Sequence, residues 1–121
     1  MRLADSYTVT VTFNQAVTSP GVRVLEYRGV NRLDVKAGTS GKGNSANSGA
    51  ASPTTAKELT FGANIGADST EGPGGQISPP VLSLAQWDIA EDRIVSATGS
   101  YSATASLSGG GAWLMQKASF K

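Results

Sequence analysis

The sequence predicts an all-β domain: an antiparallel sandwich of the immunoglobulin-like or jelly-roll-like kind, with a barrel as the runner-up. Segments of alternating apolar and polar residues recur along the chain, and turn signals rich in Gly, Pro, Asn and Ser separate them. Six or seven such strands can be counted with no sustained helical period between them, close to the tally of an immunoglobulin-like module. At 121 residues the chain reads as one domain, 1–121, long enough for one core but not for two.

Taken in order, "YTVTVTF" sets Tyr7, Val9, Val11 and Phe13 on one side and Thr8, Thr10 and Thr12 on the other, the pattern of a half-buried strand. "NQAVTSPG" is turn chemistry, closed by Pro20-Gly21. "VRVLEYRG" is apolar on both sides and predicts a central strand, with "LDVKAG" a short third one. Residues 39–55, "TSGKGNSANSGAASPTT", are poor in apolar side chains and read as a low-complexity loop, or else as extended polar backbone pinned by neighbours. "KELTFGANIGA" restores a strand, with Leu59 and Phe61 on one face, and the Pro-rich "DSTEGPGGQISPP" is irregular. "VLSLAQWDIAEDRIVSA" divides into a short strand and an acidic turn, with two helical turns as the alternative. "SYSATASLS" places Tyr101, Ala103, Ala105 and Leu107 inward. After a glycine turn, the last strand presents Ala112, Leu114, Gln116, Ala118 and Phe120 on one face and Trp113, Met115, Lys117 and Ser119 on the other.

Composition excludes more than it selects. With 10 basic and 9 acidic residues and no Lys/Arg cluster, no nucleic-acid partner is expected. There is no cysteine and no histidine, which removes thiol nucleophiles, His-based triads and the usual Cys/His zinc sites. Carboxylate, hydroxyl and lysine chemistry remain. Lys36, Lys42 and Lys57 look loop-borne or edge-borne, whereas a lysine base must be desolvated. No apolar run approaches the roughly 18 residues needed to span a bilayer, so no membrane partner is expected. No hydrophobic signal core precedes the first strand, and the chain reads as a domain excised from a longer protein with neighbouring domains.

Three stretches, "VTVTFNQAV…VRVLEYRGV", "DIAEDRIVSATGSYSATASLS" and "GAWLMQKASFK", resemble a poorly characterised family of β-sandwich (immunoglobulin-like) repeat domains in large secreted proteins of soil bacteria. The resemblance covers nearly the whole chain. It implies an extracellular accessory module beside immunoglobulin-like or carbohydrate-active domains, without an assigned reaction. The chain departs from the family in lacking residues before "LDV" and strands upstream of "TVTVTF". A sheet edge left bare in this way invites pairing with a second copy, so a homodimer through edge strands is an alternative.

Asp88, Glu91 and Asp92 crowd into "DIAED". The first reading is a solvated turn, or a salt bridge with Arg93. The second is calcium, which takes six to eight oxygens and would draw on Asp88, Glu91 and Asp92; otherwise neither metal nor cofactor is expected. The third is catalysis. A retaining glycosidase sets two carboxyls about 5 Å apart and an inverting one roughly 6.5–9.5 Å apart. Glu26, in an apolar strand, could act with Asp88 or Glu91, since burial raises a carboxyl toward a general acid. Sugar rings, in turn, stack on exposed aromatic faces. Trp87, beside the acidic turn, is the leading anchor, with Gln86 and Asp88 as hydrogen-bonding neighbours and Trp113 and Tyr27 as further candidates.

Three functions follow, in this order: a non-catalytic module binding polysaccharide near Trp87; a structural or adhesive module that self-associates; and a small carboxylate glycoside hydrolase.

Overall fold

The computed structural model describes residues 8–75, 81–85 and 87–121. Among them run eight strands: β1 (Leu33–Lys42), β2 (Ser45–Asn47), β3 (Glu58–Gly66), β4 (Thr70–Pro73), β5 (Val81–Ala85), β6 (Asp88–Val95), β7 (Thr104–Leu107) and β8 (Ala112–Phe120). They form two antiparallel sheets that do not close into a barrel, one in the order β1-β8-β3-β6-β5 and the other β2-β7-β4. The all-β sandwich read from the alternation is the fold that forms.

Register explains which residues face inward. β3 is central, pairing with β6 and β8 along its length, so that Gly62 stands opposite Glu91 on one side and Lys117 on the other. Asn64 stands likewise between Ile89 and Met115, and these inner rows meet the smaller sheet. The core is made of Ala46, Ile89, Ala103, Ala105, Leu107 and Met115, with Trp113 packed against it. Small residues dominate because the sheets approach closely. A Cβ built on Gly62 would lie 2.6 Å from the Ala103 Cβ, closer than real Cβ contacts come. Gly62→Ala should therefore destabilise the fold by about 1–3 kcal/mol, read as a lower denaturation midpoint. An unchanged midpoint would mean that the sheets part without cost.

Polar groups share this interior and mostly satisfy one another. The Thr60 and Ser119 hydroxyls, both buried, are 2.9 Å apart. Asn64 donates to Thr70 Oγ1 at 3.2 Å, and its Oδ1 accepts the Ile89 amide at 2.8 Å. Such pairing removes the desolvation cost that orphaned polar groups would carry.

Three expectations need correction. Residues 8–29 are exposed and carry no regular strand, although "TVTVTF" and "VRVLEYRG" have strand alternation. Alternation specifies a face but not a partner, and none of these residues joins a ladder. Tyr7 lies outside the described residues.

The expected loop at 39–55 instead contains the end of β1, a tight turn and all of β2. Its glycines and serines have packing reasons. A Cβ on Gly41 would come within 2.7 Å of the Trp113 ring, and buried Ser48 accepts the Ala103 amide at 2.9 Å. At the start of β1 a bulge skips Asp34 and frees its carboxylate for local partners. That carboxylate takes the Thr54 amide and hydroxyl, both at 2.7 Å, and pairs with Lys121. The Lys121 ammonium and the Thr54 donors hold Asp34 well below the ordinary carboxylate range.

Finally, "DIAED" is not a turn. It is the first half of β6, paired with β3 and β5.

Candidate functional site

Strand alternation divides the acidic stretch. Asp88, Ala90, Asp92 and Ile94 share the outer face of the five-stranded sheet, while Ile89, Glu91 and Val95 point at the smaller sheet. Asp88, Glu91 and Asp92 therefore do not converge on one ion, and among the described residues no group of three or more acids could hold a metal. Glu26 is exposed in the N-terminal segment and joins no ladder. Glu26, Asp88 and Glu91 are thus not gathered around a cleft.

Glu91 is fully buried, and neither carboxylate oxygen has a hydrogen-bond partner among the described residues. Desolvation pushes its pKa up to about 7, partly countered by the nearby Thr104 amide. The inner face holds two more ionisable groups. Lys117, almost fully buried, donates to the Ala51 carbonyl at 2.7 Å. Desolvation lowers its pKa, and the charge of Glu58 opposes the shift. Glu58 in turn accepts the Thr55 amide at 3.0 Å and hydroxyl at 2.7 Å on one oxygen. These contacts tie the 48–57 connection to the sandwich.

The aromatic candidates scatter. Trp87 is 46% exposed at the turn before β6, and its carbonyl accepts the Gly66 amide at 3.0 Å. Trp113 turns inward against the core, and its indole nitrogen is buried without a partner. Tyr27 donates its hydroxyl to Asp92 at 2.7 Å; burial and then that carboxylate raise its pKa. Arg23 pairs with Asp88 at 2.9 Å. Both N-terminal anchors thus reach outer-face acids of β6, with the same offset of 65 residues, so residues 23–27 run parallel to β6 across that face. The Arg23–Asp88 pair is about one-third exposed, so it positions the segment more than it stabilises the fold. Gln86 lies outside the described residues. Of the five proposed sugar contacts, Tyr27 comes to the β6 end of the face where Asp88 lies, Trp87 directly precedes Asp88, and Trp113 sits apart.

What sequence reasoning missed is the outer face itself. Across β1, β8 and β3, Leu33, Leu114, Ala118, Phe120, Phe61, Ala63 and Ile65 point away from the core. A concavity of about 600 Å³ lies here, lined chiefly by Leu33, Lys36, Phe61, Gln116, Ala118 and Phe120. A smaller one of about 180 Å³, reaching Ile65 and Leu114, continues it. Leu33, Ile65 and Leu114 are each more than 40% exposed, and Ile94 at the β6 side is 71% exposed. The signal was present in "ELTFGANIG" and "AWLMQKASF", whose outward sets are more apolar than the polar inner rows they back.

No known family profile matches the chain, and neither does any curated protein or solved structure.

Proposed function

We propose that this domain is a non-catalytic structural or adhesive module that self-associates through the outer face of its five-stranded sheet. The observation that supports this reading is the apolar groove formed by Leu33, Phe61, Leu114 and Phe120, whose polar lining is Lys36 and Gln116 on the outer face with Lys117 and Asn64 of the inner rows. Contiguous apolar surface of this kind marks interaction sites, and removing it from water supplies the driving force. A sugar site would instead need several donors and acceptors matched to hydroxyls. Within the large secreted bacterial proteins that the sequence resembles, such a face would join copies or neighbouring domains.

A second reading keeps polysaccharide as the ligand, supported by the half-exposed indole of Trp87 beside Asp88.

Sedimentation velocity over a wide concentration range separates the two when run beside a pull-down on insoluble polysaccharides. Self-association predicts a concentration-dependent dimer that Leu114→Ser weakens. A monomer at every concentration would sink that reading. Retention on polysaccharide that Trp87→Ala abolishes, with the denaturation midpoint unchanged, would favour the second.

A further inference from the structure

The self-association just proposed leaves open which segment of the partner meets this sheet. We infer that it is the N-terminal arm of a second copy, residues 8–17, added as a strand along the free edge of β1 and bordering the groove. The inference rests on that reading and narrows it to one partner surface.

Four observations meet here. First, the arm has the sequence of a strand without the ladder of one: Val9, Val11 and Phe13 alternate with Thr8, Thr10 and Thr12, and all six are exposed. An extended segment with unpaired amides and carbonyls is competent to add to a sheet edge. Second, among the described residues β1 is the terminal strand of its sheet and pairs with β8 alone. After the bulge at Asp34 its register runs unbroken from Val35 to Lys42, long enough to receive the arm.

Third, β1 borders the apolar groove through Leu33, Lys36 and Gly38. A strand added there turns alternate side chains onto the outer face, where Val9, Val11 and Phe13 would extend the surface of Leu33 and Phe120. Fourth, residues 23–27 are already fixed on β6, at the opposite side of the same sheet, by Arg23–Asp88 and Tyr27–Asp92. Bends at residues 14–15 and 18–19, with Ser19 at a φ of 53°, then separate residues 8–13 from this anchor.

Residues 8–21, if extended at about 3.3 Å each, reach roughly 45 Å, whereas five strands span about 19 Å. The arm is therefore long enough to leave its own sheet and reach another. In one chain, both the arm and the groove stay exposed to water. A two-fold exchange pairs the arm with the β1 edge in each partner by one symmetry operation and lays the arm's apolar side chains beside the groove.

The chain has no cysteine, which makes the test clean. Full-length chains carrying Val11→Cys are mixed with longer, tagged chains carrying Ser40→Cys, which is on β1, and treated with a short bismaleimide. The expected result is a cross-linked product with the mass of one chain of each kind. It should be absent when Ser106→Cys, on β7 of the other sheet, replaces Ser40→Cys. In parallel, the chain with Val9→Ser, Val11→Ser and Phe13→Ser should keep its denaturation midpoint. Its dimer should weaken about a hundredfold or more, as expected for three apolar side chains left in water.

A dimer of undiminished affinity in that variant would overturn arm exchange while leaving self-association standing. So would a dimer in which the Val11→Cys and Ser40→Cys chains give no mixed product while a third chain, carrying both substitutions, cross-links only within itself. A protein that stays monomeric at all concentrations would overturn both.

Discussion

Glu91→Gln should make this protein more stable at pH 8 by on the order of 3 kcal/mol, while leaving its stability near pH 4 almost unchanged. Both carboxylate oxygens of Glu91 are buried without partners, and the folded-state pKa is about 7, against an ordinary value of 4.5. The folded state thus holds its proton more tightly than the unfolded chain does. That contribution is fully present below about pH 4.5 and is lost as pH rises through about 7. Above that range the protein must either bury an unpaired charge or open to hydrate it, and glutamine removes the choice. Lys117 does not rescue the carboxylate, because Gly62 separates them across β3 and the lysine is committed to the Ala51 carbonyl.

Denaturant titrations of both proteins at pH 4, 6 and 8 isolate the effect, since Asp34, Tyr27 and the other titrating groups are common to both. Parallel stability curves across that range would mean that Glu91 is solvated or partnered in solution. A free-energy difference that opens between pH 4.5 and 7 and then levels off would confirm the buried acid.

The same residue measures how far the sequence could be read. β3, β7 and β8 were legible from alternation alone, and the inward set Ala103, Ala105 and Leu107 is buried as expected. For β8 the two faces were separable, but which one met the core was not, because Lys117 and Ser119 on the inner face look like surface residues. The rule that charge stays outside failed at Glu58, Glu91 and Lys117 together. Lys117 finds the Ala51 carbonyl 66 residues away, a contact that a linear pattern cannot show, while Glu58 is held by Thr55 only three residues before it.

The acidic stretch was read as a turn because three carboxylates in five residues suggest solvent. Placement on β6 sends two of them outward to Arg23 and Tyr27 and one inward, with no hydrogen-bond partner among the described residues. Residues 39–55 misled for the opposite reason. At Gly41 the Trp113 ring leaves no room for a side chain, and Ser48 is buried to accept the Ala103 amide. At the N-terminus the alternation predicts strands that do not form, because a strand needs a ladder and, among the described residues, 8–29 join none.

Met115→Ala and Leu114→Ala, on adjacent residues of β8, should give opposite outcomes. Met115 is completely buried in the core beside Ile89 and Leu107, on the inner row shared with Asn64. Truncating it loses the transfer energy of the side chain and opens a cavity between two sheets already held close by Gly62 and Ala103, so little collapse can follow. The expected cost is about 2–5 kcal/mol, a large part of the margin of a domain this size. Leu114 points the other way, 42% exposed, with Ile65 as its neighbour on the groove. Leu114→Ala should move the monomer's denaturation midpoint by no more than about 0.5 kcal/mol, as a substitution outside the core does.

It should nevertheless weaken self-association, because its apolar surface is removed from water only when the face is covered. Sedimentation and denaturation on the same two variants therefore sort the strand's two faces into fold and function. Loss of stability from Leu114→Ala comparable to that from Met115→Ala would mean that the outer face is already covered within one chain, and the interaction module would have to be abandoned. Loss of association without loss of stability would locate the working surface of the protein on the face that its own core does not use.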